Sequence, residues 1–298
     1  MKKVVFLLVL LVAKNVLAGS YLPWRLGYKT IDSGEHIADI RFGYLTAKAG
    51  IEFKGNILYY QGLGDSMLNH DPLFETLTKN GYRVIAFDYM GQGGSSGSMN
   101  DTTIQNINNI GDQIIKLLAK KNGPAGDKYH IIGWSTGGLA AQEKAYLDGG
   151  KKILSVVLIA PGIAPNFIVG EGLFNWPIDE ISLRTLTTNT FIGVNNPHHD
   201  PIYPTSPINV PKFAWNLQAT AIKARMTWNI AKNIGGLVLL SGRKDTYVDA
   251  IKTRDTIEKR APHYTIMSYP GALHEIDNEV EKIAVKARLD ILNFLNNQ

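Results

Sequence analysis

The chain contains no cysteine, which excludes disulfides, thiolate metal sites and a lipid anchor attached at a bacterial processing cysteine. It carries no lysine- or arginine-rich run of the kind that builds a nucleic-acid patch, no internal repeat and no low-complexity tract. Its leading apolar run, Val4 to Ala13, is too short for a permanent membrane helix: ten residues rise about 15 Å, half of a ~30 Å hydrocarbon core. What is present is 298 residues, 45% hydrophobic and 19% charged, which fits one large globular domain or a domain with an inserted subdomain. Lys2 and Lys3 precede the apolar run, and Val16, Leu17 and Ala18 follow it with a signal peptidase pattern. This predicts a cleaved signal peptide over residues 1–18, an exported mature domain over 19–298, and a periplasmic or secreted location. Lys2, Lys3 and Lys14 lie in that leader, so the formal charge of +5 overstates the basicity of the mature chain.

Short apolar runs alternate with helical patterns, the signature of an α/β protein with a mostly parallel sheet. Two strands, Leu26 to Ile31 and His36 to Leu45, are expected as an antiparallel start around a Ser33-Gly34 turn. Further strands are expected at Asn56 to Tyr60, Arg83 to Phe87, Tyr129 to Trp134, Leu154 to Ala160, Gly236 to Leu240 and Tyr264 to Ser268. Helices are expected from an Asp71 N-cap with Pro72 to Asn80-Gly81, at Thr102 to Lys121, Thr136 to Leu147, Val248 to Arg260 and Ile276 to Leu295. From about 163 to 233 the rhythm breaks into a proline- and tryptophan-rich stretch with no clean strand and helix alternation. That reads as an insertion over one end of the sheet.

The segment HIIGWSTGGLAAQEKA places Ser135 between a buried strand and a helix, with Gly133 and Gly137 flanking it. A nucleophile that must protrude from a sheet edge needs a strained turn, and small flanking residues let the two backbones approach. The Thr136 N–H at the helix start is then placed to meet an oxyanion. A serine hydroxyl needs a base, and the base needs an orienting acid. Asp245 follows one late strand and His274 the next, in the chain order Ser, Asp, His. Asp249, expected inside the following helix, and Asp277, a candidate cap of the last helix, are the competing acids; Asp245 is favoured by its place at the strand end. A second oxyanion donor, the Leu63 N–H, is expected in the QGLGDS loop after the third strand. His36, His70, His130 and His263 read as surface or capping residues, and His198-His199-Asp200 lacks the further partner a metal site needs.

Together QGLGDS, GYRVIAFDYMGQGGSSG, GWSTG, GRKDTYVD and GALHEIDNE resemble the monoacylglycerol lipase and lysophospholipase branch of the α/β-hydrolases, also labelled serine aminopeptidase-like. The resemblance covers Asn56 to Gly162 and Gly236 to the end. It implies an α/β-hydrolase fold, an eight-stranded, mostly parallel sheet flanked by helices with an inserted lid. It implies Ser135 as nucleophile, Asp245 as acid, His274 as base and the amides of Leu63 and Thr136 as oxyanion hole. Asp88, Gly91, Gly93 and Ser96 would shape a loop beside the site, and Glu275 and Glu279 would be structural. The lid would carry an acyl pocket, with Phe167, Phe174 and Trp176 on its wall and Ile163, Phe213 and Trp215 as further apolar candidates. One departure is Gln61, where the family usually has histidine.

The resulting expectation is an exported serine hydrolase of carboxylic esters, monoacylglycerol- or lysophospholipid-like, with no cofactor, no metal and no nucleic-acid partner. Its substrate is a small acyl ester or lipid, which allows transient contact with a membrane surface. A peptidase using the same triad, with Glu171, Asp179, Glu180 or Asp200 holding a substrate ammonium, is the alternative. A hydrolase-like binding protein without turnover is the third reading.

Overall fold

In the computed structural model, residues 20–32, 37–119, 128–166, 211–242, 245 and 247–298 are described. Eight strands form one sheet: β1 (Arg25–Asp32), β2 (Ile37–Leu45), β3 (Gly55–Tyr60), β4 (Tyr82–Phe87), β5 (Tyr129–Trp134), β6 (Ile153–Ile159), β7 (Gly235–Ser241) and β8 (Thr265–Tyr269). The spatial order is β1-β2-β4-β3-β5-β6-β7-β8. β1 pairs with β2 and β2 with β4 antiparallel; every later pairing is parallel. The Ser33-Gly34 turn and the leader lie outside the described residues.

The parallel strands are apolar on both faces because helices cover both. Alternation of period two sorts their side chains: Leu58, Tyr60, Ile85, Phe87, Ile131, Val156 and Leu158 face one core, while Ile57, Tyr59, Val84, Ile132, Val157 and Ile159 face the other. The first core is closed by α2 (Ile104–Ala119), α3 (Thr136–Asp148), α4 (Pro211–Thr227) and α5 (Ala250–Arg260). The second is closed by α1 (Asp71–Lys79) and α6 (Glu281–Leu295). Each fully buried Ile, Leu or Phe in these layers contributes about 1.5–3 kcal/mol relative to exposure.

Four local expectations are corrected. α4 occupies the stretch expected to have no clean helix. Its inward stripe, Phe213, Leu217, Thr220, Ala221 and Ala224, is small and partly polar, while Trp215, Ile222 and Met226 are exposed. The contrast between faces that a periodicity reading depends on is therefore missing. Asp71 does not cap α1: its carboxylate accepts from the Ser20 hydroxyl (2.6 Å) and the Tyr21 N–H (2.7 Å), fastening the segment before β1. Asp249 is not inside α5 but is its N-cap, accepting from the Ile251 and Lys252 N–H groups, both at 3.0 Å. Finally, α6 starts at Glu281 rather than Ile276, because Ile276–Asn278 forms a separate 3₁₀ turn whose side chains are buried.

The carboxyl ends of β3, β5, β7 and β8 open on the same edge of the sheet. Chain segments leaving those ends carry Leu63, Ser135, Asp245 and His274, the place where open α/β sheets bind ligands.

Candidate active site

Ser135 is the residue between β5 and α3, with φ of 54° and ψ of −117°. A left-handed φ on a residue with a Cβ is strained and persists only where the surroundings enforce it. Here the enforcement is the approach of the backbones on either side. A Cβ on Gly133 would collide with the Gly137 carbonyl, and one on Gly137 with the carbonyls of Tyr60 and Gln61 at the end of β3. The turn therefore presents the Ser135 hydroxyl away from α3, and the side chain makes no cap bond to the helix it precedes.

That hydroxyl meets His274 Nε2 at 2.7 Å, and His274 Nδ1 lies 2.9 Å from Asp245 Oδ2. The structure thus brings together three residues separated by up to 139 positions. Asp245 also accepts from the Ser241 hydroxyl at 2.8 Å and from the N–H groups of Tyr247 and Val248 at 2.9 and 3.0 Å. Burial by itself would raise its pKa; His274 and these donors outweigh it and hold the carboxyl below its ordinary value. An ionised Asp245 fixes a proton on Nδ1 and leaves the Nε2 lone pair facing the serine.

The imidazole is held from its other sides too. The Trp134 indole N–H donates to the His274 carbonyl at 3.1 Å, and the Tyr247 ring packs 5.1 Å from the imidazole. Ser241, Trp134 and Tyr247 were not singled out in the sequence. Trp134 stands in the GWSTG motif, and that position was the available signal.

Among the described residues, neither the Leu63 nor the Thr136 N–H has an acceptor. Thr136 opens α3, whose first amides have no partner within the helix. The Leu63 loop is braced from within: Gln61 Nε2 donates to the Asp65 carbonyl at 2.9 Å, the Gly64 N–H donates to Gln92 Oε1 at 2.8 Å, and the Tyr89 hydroxyl donates to the Gln61 carbonyl at 2.7 Å. Gln61 thus spans the loop where the resemblance implies histidine.

Asp88 receives the Arg41 guanidinium at 2.5 Å and the N–H groups of Met67 and Gly94. It ties β2 to both loops beside the site. Glu279 accepts from the Leu273 N–H at 2.6 Å and so shapes the turn that carries His274.

Two histidines expected as surface or capping residues are buried; His70 holds the N-cap position of α1 but its side chain makes no cap bond. His130 meets the Ser155 hydroxyl at 2.8 Å, and burial pushes its pKa down to about 4. His70 lies between Asp65 and Asp277, so Asp277 serves this pair and does not cap α6.

Phe167, Phe174 and Trp176, with Glu171, Asp179, Glu180 and His198-His199-Asp200, lie outside the described residues. Ile163 and, from α4 itself, Phe213 are buried in the first core, whereas Trp215 is 67% exposed. Among the described residues no group of histidines and carboxylates is arranged to hold a metal ion, and no helix is long and apolar enough to cross a membrane.

A model of the family described as serine aminopeptidase, S33, matches residues 51–281. No curated protein matches the chain. Among solved structures, a soluble variant of monoglyceride lipase from Saccharomyces cerevisiae, in complex with a substrate analog, is similar at a TM-score of 0.69 and 20% identity, covering 96% of this chain and 98% of that one. The carboxyl esterase of Bacillus coagulans, in complex with glycerol, gives a TM-score of 0.68 and 17% identity, over 91% and 98% of the two chains. The monoacylglycerol lipase of Paleococcus ferrophilus gives 0.62 and 22%, over 86% and 98%.

Proposed function

The chain belongs to the serine aminopeptidase, S33, family of the α/β-hydrolases, and from that premise we propose that it is a serine hydrolase of carboxylic esters whose substrates are single-chain acyl esters of the monoacylglycerol or lysophospholipid type. The observation that carries this reading is the unbroken relay from Asp245 through His274 to a Ser135 hydroxyl on a strained turn. The ester preference is supported by the monoglyceride lipases and the esterase among the structures of similar fold.

In this reaction Ser135 Oγ attacks the ester carbonyl carbon while His274 Nε2 takes its proton. The oxyanion forms within reach of the Leu63 and Thr136 N–H groups, which have no acceptor among the described residues to give up first. Collapse of the tetrahedral intermediate expels the alcohol, protonated by His274, and leaves an acyl-serine. Water deprotonated by the same imidazole then releases the acid and restores the hydroxyl. Asp245 keeps the imidazole in one tautomer and stabilises the imidazolium that forms twice per cycle.

Turnover of a p-nitrophenyl acyl ester series, set beside amino-acid p-nitroanilides, tests the substrate class. Esters are expected to be cleaved, with a chain-length optimum that reports pocket depth, and preference for the anilides would overturn the ester reading in favour of the peptidase that the family description names. Ser135→Ala should lower ester turnover about 10⁶-fold. The leader supports an exported enzyme. Its test is the intact mass of protein recovered outside the cytoplasm, expected to begin at Gly19.

A further inference from the structure

Behind the triad lies a second buried ionic group that the reaction does not use. His70 is fully buried, its Nε2 2.6 Å from Asp65 Oδ2 and its Nδ1 2.6 Å from Asp277 Oδ2. A neutral imidazole has one donor and one acceptor, so it could satisfy one of these carboxylates but would turn a lone pair on the other. An imidazolium satisfies both. Burial alone would push His70 down, but the charges of Asp277 and Asp65 and their hydrogen bonds hold it up at about 10.

The two carboxylates belong to the two segments whose relative position the reaction depends on. Asp65 is in the turn that carries the Leu63 N–H, and it also accepts from Asn69 Nδ2 at 2.9 Å. Asp277 stands three residues after His274. The Asn278 amide reinforces the link, donating to the Asn69 carbonyl at 3.1 Å and to Glu275 Oε1 at 2.6 Å. The His70 and His274 rings both pack against Trp134, each centroid 5.5 Å from it.

We infer that His70 is a positioning residue: as a buried imidazolium it clamps the oxyanion turn, through Asp65, to the turn bearing the catalytic base, through Asp277. The inference rests on the serine hydrolase reading for its effect on turnover. Also facing the ring are Asn278 Nδ2 at 3.4 Å from Nδ1, Glu275 Oε1 at 3.9 Å, Tyr59 on β3 at 5.0 Å between centroids, and Phe74 on α1. Arg288 of α6 donates to the Asp277 carbonyl at 2.8 Å. The Tyr59 hydroxyl is pushed well above its ordinary pKa by burial and by the same carboxylates, so it does not titrate in the range where His70 does.

A histidine whose folded pKa is raised stabilises the fold fully below its ordinary value of 6.5, and that stabilisation is lost as pH climbs towards about 10. The wild type should therefore lose thermal stability across pH 6.5 to 10. His70→Gln, which carries no charge and has both of its N–H groups on one nitrogen, should show a flatter decline. With a p-nitrophenyl ester at pH 7, its kcat should fall about 10²-fold with KM within about twofold, because the oxyanion donor is displaced relative to the base while nothing in the ester touches His70. A folded His70→Gln with wild-type kcat, or with its loss in KM instead, overturns the clamp; so does a wild-type Tm that is flat from pH 6.5 to 10. Should that variant not fold, Asp277→Asn keeps the shape of the pair and is read by the same kcat, KM and Tm measurements. The Tm profile needs no turnover, so a wild type that failed to cleave esters would remove the functional reading while leaving the clamp testable.

Discussion

Three buried histidines differ in how many carboxylates they face, and the number decides what each can do. Among the described residues His130 bonds the Ser155 hydroxyl and no carboxylate, and burial drives it to about 4, so it stays neutral. His70 faces two carboxylates and is held charged, at about 10. His274 faces one carboxylate and one hydroxyl, so a proton can leave and return at Nε2 while Nδ1 stays occupied. The same side chain, buried to a similar degree, meets three different sets of neighbours, and in our proposal it serves in turn as a packing residue, a strut and a base. In His130 and His70 burial sets the cost of charge, and the neighbouring carboxylates determine whether that cost is met.

The comparison breaks most severely if His274 is made to resemble His130. Asp245→Asn replaces its one carboxylate with an amide and removes the preference for the reactive tautomer. Turnover of a p-nitrophenyl ester should drop about 10⁴-fold, measured at saturating substrate in a protein whose Tm shows that it is folded. A loss of less than tenfold would mean that the tautomer is set elsewhere.

The next largest effect tests what the His70 strut supports. Leu63→Pro removes the N–H offered to the oxyanion without altering the triad, and kcat should fall about 10²- to 10³-fold. Labelling by a fluorophosphonate should slow in parallel, since that reaction also develops charge on an oxygen beside Ser135. An unchanged labelling rate would place the second donor at another amide.

The comparison sharpens if His130 is moved the other way. As it stands, its pKa is depressed in the fold, so its share of stability is present above 6.5 and is lost as pH falls towards about 4, roughly 3 kcal/mol over that window. Ser155→Asp gives it one carboxylate at the position now held by the hydroxyl. The His130 pKa should rise by about 1 to 3 pH units, read from its imidazole resonances, and the acid-side loss of Tm should shrink. A pKa that stayed near 4 would show that burial, not the carboxylate count, dominates.

What could be read from the sequence follows the range over which each feature is determined. The strands and most helices were legible because an alternating or 3.6-residue pattern is local. The meeting of Ser135, Asp245 and His274 was legible because chain order and strand ends constrain where each stands. α4 was not, since its buried face carries Thr220, Ala221 and Ala224 while Trp215 and Met226 point outward. Asp71 has the sequence of an N-cap, yet its partners lie 50 and 51 residues away. The burial of His70 is not legible because its partner Asp277 is 207 positions distant, and no local pattern in NHDPLF signals a buried charge.

Gln61 gives the smallest effect and the finest test of how the oxyanion turn is held. Its Nε2 donates to the Asp65 carbonyl, and its Oε1 is buried without a hydrogen-bond partner among the described residues. An unmade bond at a buried acceptor costs about 1–3 kcal/mol, whereas a made one returns about 0.5–1.5 kcal/mol. A histidine here could supply the one donor from a ring nitrogen and would dispense with the orphaned oxygen. Gln61→His should accordingly melt no lower than the wild type and keep kcat within about threefold. Gln61→Ala, which removes donor and volume together, should melt lower and lose more of kcat than Gln61→His does. If the order were reversed, with histidine the more damaging, the turn would depend on the amide's shape rather than on its one hydrogen bond, and the strut from His70 would have to hold the loop against it.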